Sequence, residues 1–321
     1  MRGIEKFILK NKFLYSVVKK PYNLFNKLKD PLLEIWIKKF GLFNGKERIK
    51  LLKGKKADSL MASLINSDKP LMIARYGRTE FYVLFNLGNV EREERNFCLV
   101  AGFFPYDKKL IDKFRKLYFE SSTHLDVLAT WLYKKNFFVK KRFIRSLPNV
   151  NNFIDIEDLN PINSNWYKEL TGKRVLVVHP FKDSILYQYK RRKEIKIIPE
   201  FKSLKVLKAV QGMGKEKPPF KDWFGALESM KKEIYKRRNS FDIALIGCGA
   251  YGFPLAAYVK SLGKKGIHVG GALQLLFGIK GARWEKYYKF NFPKNWIYPR
   301  PKDIPSGIEE VEKLEGKCYW K

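Results

Sequence analysis

The sequence predicts an α/β protein: a Rossmann-like, mostly parallel sheet with helices on both faces, preceded by a basic helical extension. Three observations lead there. From residue 174 onward, short apolar runs alternate with turn signals and helical patterns, the rhythm of strands joined by crossover helices. A glycine-rich turn, Gly247-Cys248-Gly249-Ala250-Tyr251-Gly252, stands between one such run and a helix. The 321 residues are 45% hydrophobic and 15% aromatic, enough to bury a large core. No Pro/Gly/Ser-rich linker separates two self-sufficient halves, so one main domain is expected over residues 57–321, with residues 1–56 as the extension.

The extension carries sixteen basic and four acidic residues. Ile4, Phe7, Ile8, Leu14 and Val18 can share a helical face flanked by lysines, and Pro21 and Pro31 divide the region into short pieces. Two readings stand: an interfacial helix on anionic lipid, or helices packed on the main domain with lysines in solvent. The main domain opens with a helix over 57–65. The run Leu71-Met72-Ile73-Ala74 follows as a buried strand, then a helical pattern through Phe81, Leu84, Phe85 and Leu87. Residues 91–145 read as helical. Val175-Leu176-Val177-Val178 is a strand; Ile195, Ile197 and Ile198 are strand-like, and Val206, Leu207, Ala209 and Val210 make another candidate. A helix over 223–238 leads into the strand Ile243-Ala244-Leu245-Ile246. After the glycine turn come a helix over 254–262, the strand Ile267-His268-Val269 and a last helix over 273–277.

Sixty-five Lys and Arg against 32 Asp and Glu give a net charge of +33, a surface that attracts lipid headgroups, nucleic acid or diphosphates. A generally lysine-rich composition is the plainer account. Cys98, Cys248 and Cys318 are too few and too scattered for a disulfide framework or a structural zinc, which points to a cytoplasmic protein. No signal-peptide pattern and no apolar run near the ~20 residues of a bilayer span occur, so peripheral attachment to the inner membrane face is the expected form of any membrane contact.

Three segments carry chemistry. In the glycine turn, Gly247, Gly249 and Gly252 permit a tight turn and close backbone approach, and Tyr251 enters the following helix, whose N-terminus favours phosphate. The plain alternative is a turn that lets strand and helix pack. A dinucleotide site also requires an acidic residue at the end of the next strand, and Gly266-Ile267-His268-Val269-Gly270-Gly271 has none, so NAD is not expected. The segment Arg75-Tyr76-Gly77-Arg78-Thr79-Glu80 follows a strand, at the ligand edge of an open sheet. There Arg75 suits a phosphate and Glu80 a metal or a sugar hydroxyl; a structural Arg–Glu pair is the alternative. His179 and Asp183 follow the 175–178 strand in the same relation. Asp183 suits a general base and His179 a phosphate-binding or polarising group, or else Asp183 simply complements a helix dipole.

Together these segments, with His268-Val269-Gly270-Gly271, resemble bacterial glycosyltransferases of the GT-D fold class and related polysaccharide-biosynthesis proteins, over residues 71–284. The resemblance implies transfer of a sugar from a nucleotide-diphosphate donor to a glycan or lipid-linked acceptor, with Glu80, Asp183 and His179 as catalytic residues. It implies donor binding by Arg75, Gly77, Arg78, Gly247, Gly249, Tyr251, Gly252 and His268. The family's Asp-x-Glu metal motif reads Arg78-Thr79-Glu80 here. Glu80 alone is left to hold Mn²⁺ or Mg²⁺, and Arg78 stands where it can neutralise the leaving diphosphate instead. Two other functions compete. A nucleic-acid-binding protein is motivated by the charge but lacks any recognised module; an NAD(P)-dependent oxidoreductase is motivated by the glycine turn but lacks the ribose carboxylate.

Overall fold

The protein, seen in a computed structural model, is described over residues 51–130, 147, 150, 152–212, 218–288, 291–305 and 319–320. The extension up to residue 50 lies outside the described residues. So does most of the stretch between residues 131 and 151.

In chain order the elements are β1 (Leu51–Leu52), α1 (Lys55–Asn66), β2 (Leu71–Arg75), α2 (Arg78–Leu84), α3 (Val90–Ala101), α4 (Lys108–Ser122), β3 (Val127–Thr130) and β4 (Asn152–Asp155). They continue with β5 (Arg174–His179), α5 (Lys182–Lys190), α6 (Arg192–Ile195), β6 (Ser203–Lys208), α7 (Trp223–Lys236), β7 (Ile243–Ile246), α8 (Gly252–Ser261), β8 (Lys265–His268), α9 (Leu273–Leu276) and α10 (Ala282–Tyr288). The eight strands form one sheet in the order β1-β4-β3-β2-β8-β7-β5-β6, and every neighbouring pair runs parallel. This is the α/β class the sequence predicts.

The continuous apolar runs form the buried centre of the sheet, because a parallel sheet covered on both faces leaves no solvent side for polar alternation. On one face Ile73, Val177 and Leu245 join a core with Ala57, Met61 and Ile65 of α1, one stripe at helical spacing, and with Ile185 and Leu273–Leu276. On the other, α8 packs on β2, β7 and β8. That contact is close enough that a Cβ on Gly266 of β8 would lie 2.7 Å from the Ala256 carbonyl oxygen, so only glycine fits. An aromatic cluster supports this face: Phe114 and Tyr118 of α4 stand 4.3 Å apart, and Tyr118 stacks on Phe253 at 5.0 Å. Helix starts are set by side-chain caps. Asn89, Asp107 and Asp222 each accept a backbone N–H three residues on. The first turn of α5 is capped from far along the chain by Asp303, which accepts the N–H groups of Asp183 and Ser184.

Four features depart from the sequence expectations. Leu51–Leu52 pairs with β4 and α1 starts at Lys55, so residues 51–56 belong to the main fold and not to an extension. A strand, β3, lies inside the stretch read as helical; its four residues are all buried, too few to show a period of their own. β4 was not anticipated, its two apolar residues being flanked by Asn152 and Asp155. Finally, residues 195–198 are not a strand: Ile195 ends α6 and Lys196 turns with φ 56°.

Candidate functional site

A cavity of about 910 Å³ opens at the C-terminal ends of the central strands β2, β8, β7 and β5. Chain order brings it there: from β2 the chain runs outward to β3, while β8 reaches the other side of β2 at the end of the fold. That reversal leaves a crevice beyond the strand ends. Arg75, His268 and His179 are the last residues of β2, β8 and β5, and Gly247 follows β7 directly; all four line the cavity.

The glycine turn owes much of its composition to two imidazoles. A Cβ on Gly247 would lie 2.8 Å from Cδ2 of His179, and one on Gly252 would lie 2.2 Å from Cδ2 of His268. Gly249 has φ 55°, and a Cβ there would meet the Ala101 carbonyl at 3.0 Å. The turn is clasped from outside as well, Tyr118 Oη donating to the Ala250 carbonyl at 2.6 Å and Trp223 stacking on Tyr251 at 4.7 Å. A bulky residue at Gly249 would therefore disturb packing as well as any ligand.

Both histidines are neutral near pH 7. Burial drives His179 down to about 3. Burial, with the Arg75 cation adding to it, drives His268 to about 3, while the Arg75 backbone acts in the opposite sense. The Phe181 N–H donates to His179 Nδ1 at 3.0 Å, so the ring proton sits on Nε2 and His179 offers a donor rather than a base. Burial raises the Cys248 thiol and so disfavours a thiolate in the turn.

Arg75 is partly buried beside the Gly270 backbone, and burial lowers its guanidinium below the ordinary value, with Tyr319 and Glu80 opposing. Among the described residues no hydrogen bond or ion pair takes up its donors. Glu80, 5% exposed, folds back over Gly77 at the start of α2 and accepts from Thr79 Oγ1 at 3.0 Å. Arg78 lies 5.8 Å from the Tyr82 ring. The cavity lining holds six Lys or Arg side chains and two Glu. Tyr251 Oη, Gln211 Nε2, Gln274 Oε1 and Trp320 Nε1, all on residues that line it, are buried with no hydrogen-bond partner among the described residues. A wall of this kind suits a polar anionic ligand.

Of the residues singled out in the sequence, Arg75, Gly77, Arg78, Glu80, His179, Gly247, Gly249, Tyr251 and His268 meet around this cavity. Two do not. Gly252 is buried behind the turn against His268, and Asp183 lies outside the lining, its carboxylate 2.7 Å from Arg300. Asp183 therefore has no place in the lining from which to act as a base at the cavity. Sequence reasoning missed Arg283, Lys286, Tyr319 and Trp320, and also Arg92 and Arg95 of α3. For the two on α3 a signal existed: Arg92, Arg95 and Asn96 recur at helical spacing.

The residues do not fit a divalent cation well. Glu80 has two arginines for neighbours in its own segment, and among the described residues no three His, Cys, Asp or Glu side chains gather as ligands.

No protein-family model matches the chain, and no curated protein matches it. Two solved structures resemble the chain distantly. One, described as the selenomethionine-substituted structure of domain of unknown function 1792 (DUF1792), has a TM-score of 0.45 at 10% identity, over 83% of this chain and 95% of its own. The other, described as a new glycosyltransferase (DUF1792) from Streptococcus sanguinis, has a TM-score of 0.44 at 10% identity, over 81% of this chain and 97% of its own. At this distance neither decides the family or the activity of the chain.

Proposed function

We propose that the protein is a glycosyltransferase that uses a nucleotide-diphosphate sugar and passes the sugar to a glycan or lipid-linked acceptor in surface polysaccharide biosynthesis. The observation that carries this reading is Arg75: a partly buried guanidinium at the end of a central strand, its donors unengaged among the described residues, facing a cavity roomy enough for a nucleotide sugar. Its planar fork matches phosphate oxygens. The sequence resemblance of the Arg75–Glu80, His179–Ser184 and Leu245–Gly252 segments to GT-D glycosyltransferases supports the same chemistry.

In this reading Arg75 holds the diphosphate, and Arg78 at the rim adds positive charge as the leaving group departs. His179 Nε2–H donates to a phosphate or sugar oxygen. Glu80, the carboxylate nearest Arg75 in sequence, orients a sugar hydroxyl or takes the acceptor's proton. The basic residues of 1–50 attach the protein to an anionic leaflet; among the described residues no helix is long and apolar enough to cross a membrane. The test is a transfer assay across nucleotide-diphosphate sugars with lipid-linked acceptors, using native protein and Arg75→Ala. Transfer by the native protein that disappears in the variant is expected. Binding of NAD(P) or oligonucleotide, with no binding of any nucleoside diphosphate, would overturn the proposal.

A further inference from the structure

Part of the cavity wall is built from the far C-terminal part of the chain. Helix α10 brings Arg283 to it, and the first residue of that helix, Ala282, donates its N–H to the Trp320 carbonyl at 2.9 Å. The Trp320 ring is 3% exposed and meets Phe181 edge-on at 5.9 Å. Tyr319 lies against Gly271, where a Cβ would be 2.2 Å from the tyrosine Cε1. Arg283 Nη1 donates to Tyr319 Oη at 3.3 Å, and its guanidinium sits 5.2 Å from the centre of that ring. On the neighbouring residue of the same backbone, a Cβ at Gly270 would be 3.3 Å from Cδ of Arg75. The glycine pair 270–271 is thus flanked by Arg75 at one residue and by Tyr319, carrying Arg283, at the next. No side chain of its own stands between them.

We infer that Arg75 and Arg283 form a two-point clamp for the two phosphates of a diphosphate, and that Tyr319 and Trp320 are positioning residues that hold Arg283 to it. The inference rests on reading the cavity as a diphosphate site and adds which groups grip the second phosphate. Two guanidiniums brought together repel, and a ligand with two adjacent anionic groups relieves that repulsion more fully than one with a single phosphate. The clamp therefore discriminates by phosphate count.

Isothermal titration of the full chain with a nucleoside diphosphate and with the monophosphate of the same base tests this. Native protein should favour the diphosphate by about a hundredfold. Arg283→Ala should reduce that preference to a few-fold, and Arg283→Lys should not restore it, because an ammonium lacks the fork. Tyr319→Ala and Trp320→Ala should also reduce the preference, whereas Tyr319→Phe, which keeps the ring over Gly271, should retain most of it. If Tyr319→Ala does not fold, Tyr319→Leu fills the same space without an aromatic ring and should show the loss. Failure of native protein to bind either nucleotide defeats the reading of the cavity itself. Native discrimination that survives Arg283→Ala defeats the clamp alone. Discrimination lost in Arg283→Ala but kept in the Tyr319 and Trp320 variants, even at a lower melting temperature, defeats the positioning role.

Discussion

Replacing Arg75 with methionine should make the ligand-free protein more stable and its ligand binding much weaker. The side chain is partly buried, burial depresses its guanidinium, and no hydrogen bond or ion pair among the described residues compensates. Effective penalties for unpaired buried ions reach several kcal/mol; partial access to the cavity scales this to about 1–3 kcal/mol. Methionine keeps the length and apolar stem, so most packing survives. For a domain of this size each kcal/mol moves the melting temperature by roughly 2–4 °C, so the variant should melt a few degrees higher. Binding should move the other way. Loss of two charge-assisted hydrogen bonds, at about 1.5–3 kcal/mol each, weakens a diphosphate ligand by roughly 10²- to 10⁴-fold. Thermal melts with and without nucleoside diphosphate read both effects. A variant that melts lower than native protein and keeps the ligand-induced shift would refute the argument, since Arg75 would then be part of the fold and not of the site.

Stability should fall as pH drops below neutrality. With folded values near 3 against an unfolded value near 6.5, His179 and His268 take up protons only when unfolded. Their contribution is complete above about pH 6.5 and declines toward pH 3, at about 1.4 kcal/mol per pH unit for each. Urea unfolding at pH 7 and pH 5 measures it, and the loss should shrink in His268→Asn. Gly252→Ala should cost about 1–3 kcal/mol because its methyl meets the His268 ring; in a His268→Ala background it should cost much less, and an equal cost in both would disprove the contact's importance. Nucleoside-diphosphate binding should be the same in EDTA as in Mn²⁺, while Glu80→Gln should slow sugar transfer; a strict metal requirement for binding would contradict the role given to the arginines. Removal of residues 1–50 should abolish salt-sensitive binding to anionic vesicles, and vesicle binding that survives the truncation would count against that attachment.

Much of the fold was legible because its central strands are buried on both faces and so appear as uninterrupted apolar runs. Leu71–Ala74, Val175–Val178 and Ile243–Ile246 needed no further context. β3 and β4 were not legible: each is four residues long, and their place in the sheet is fixed by partners on neighbouring strands. At the site, the residues next to strand ends were found by position alone. The lining residues from the end of the chain were not, since nothing near Arg283 or Tyr319 in sequence announces that Arg283 meets Tyr319 or that Tyr319 packs on Gly271. The glycine motif was legible as a pattern, but its physical basis was only half anticipated. Gly247 and Gly252 make room for imidazoles on β5 and β8, a long-range requirement that a local pattern cannot show.

The pairing of β2 with β8 also sets the order in which the site can come into being. β5, β6 and β7 are near neighbours in sequence and can assemble among themselves, as can β2 and β3. Leu71 and Lys265, by contrast, are brought together from opposite ends of the described chain, so closing this seam has the largest loop entropy to overcome and comes late in folding. Arg75 and His268 sit at the end of that seam, so the cavity does not exist in any earlier partly folded state. A ligand bound there engages contacts absent from the folding transition state. It should slow unfolding while leaving the folding rate nearly unchanged.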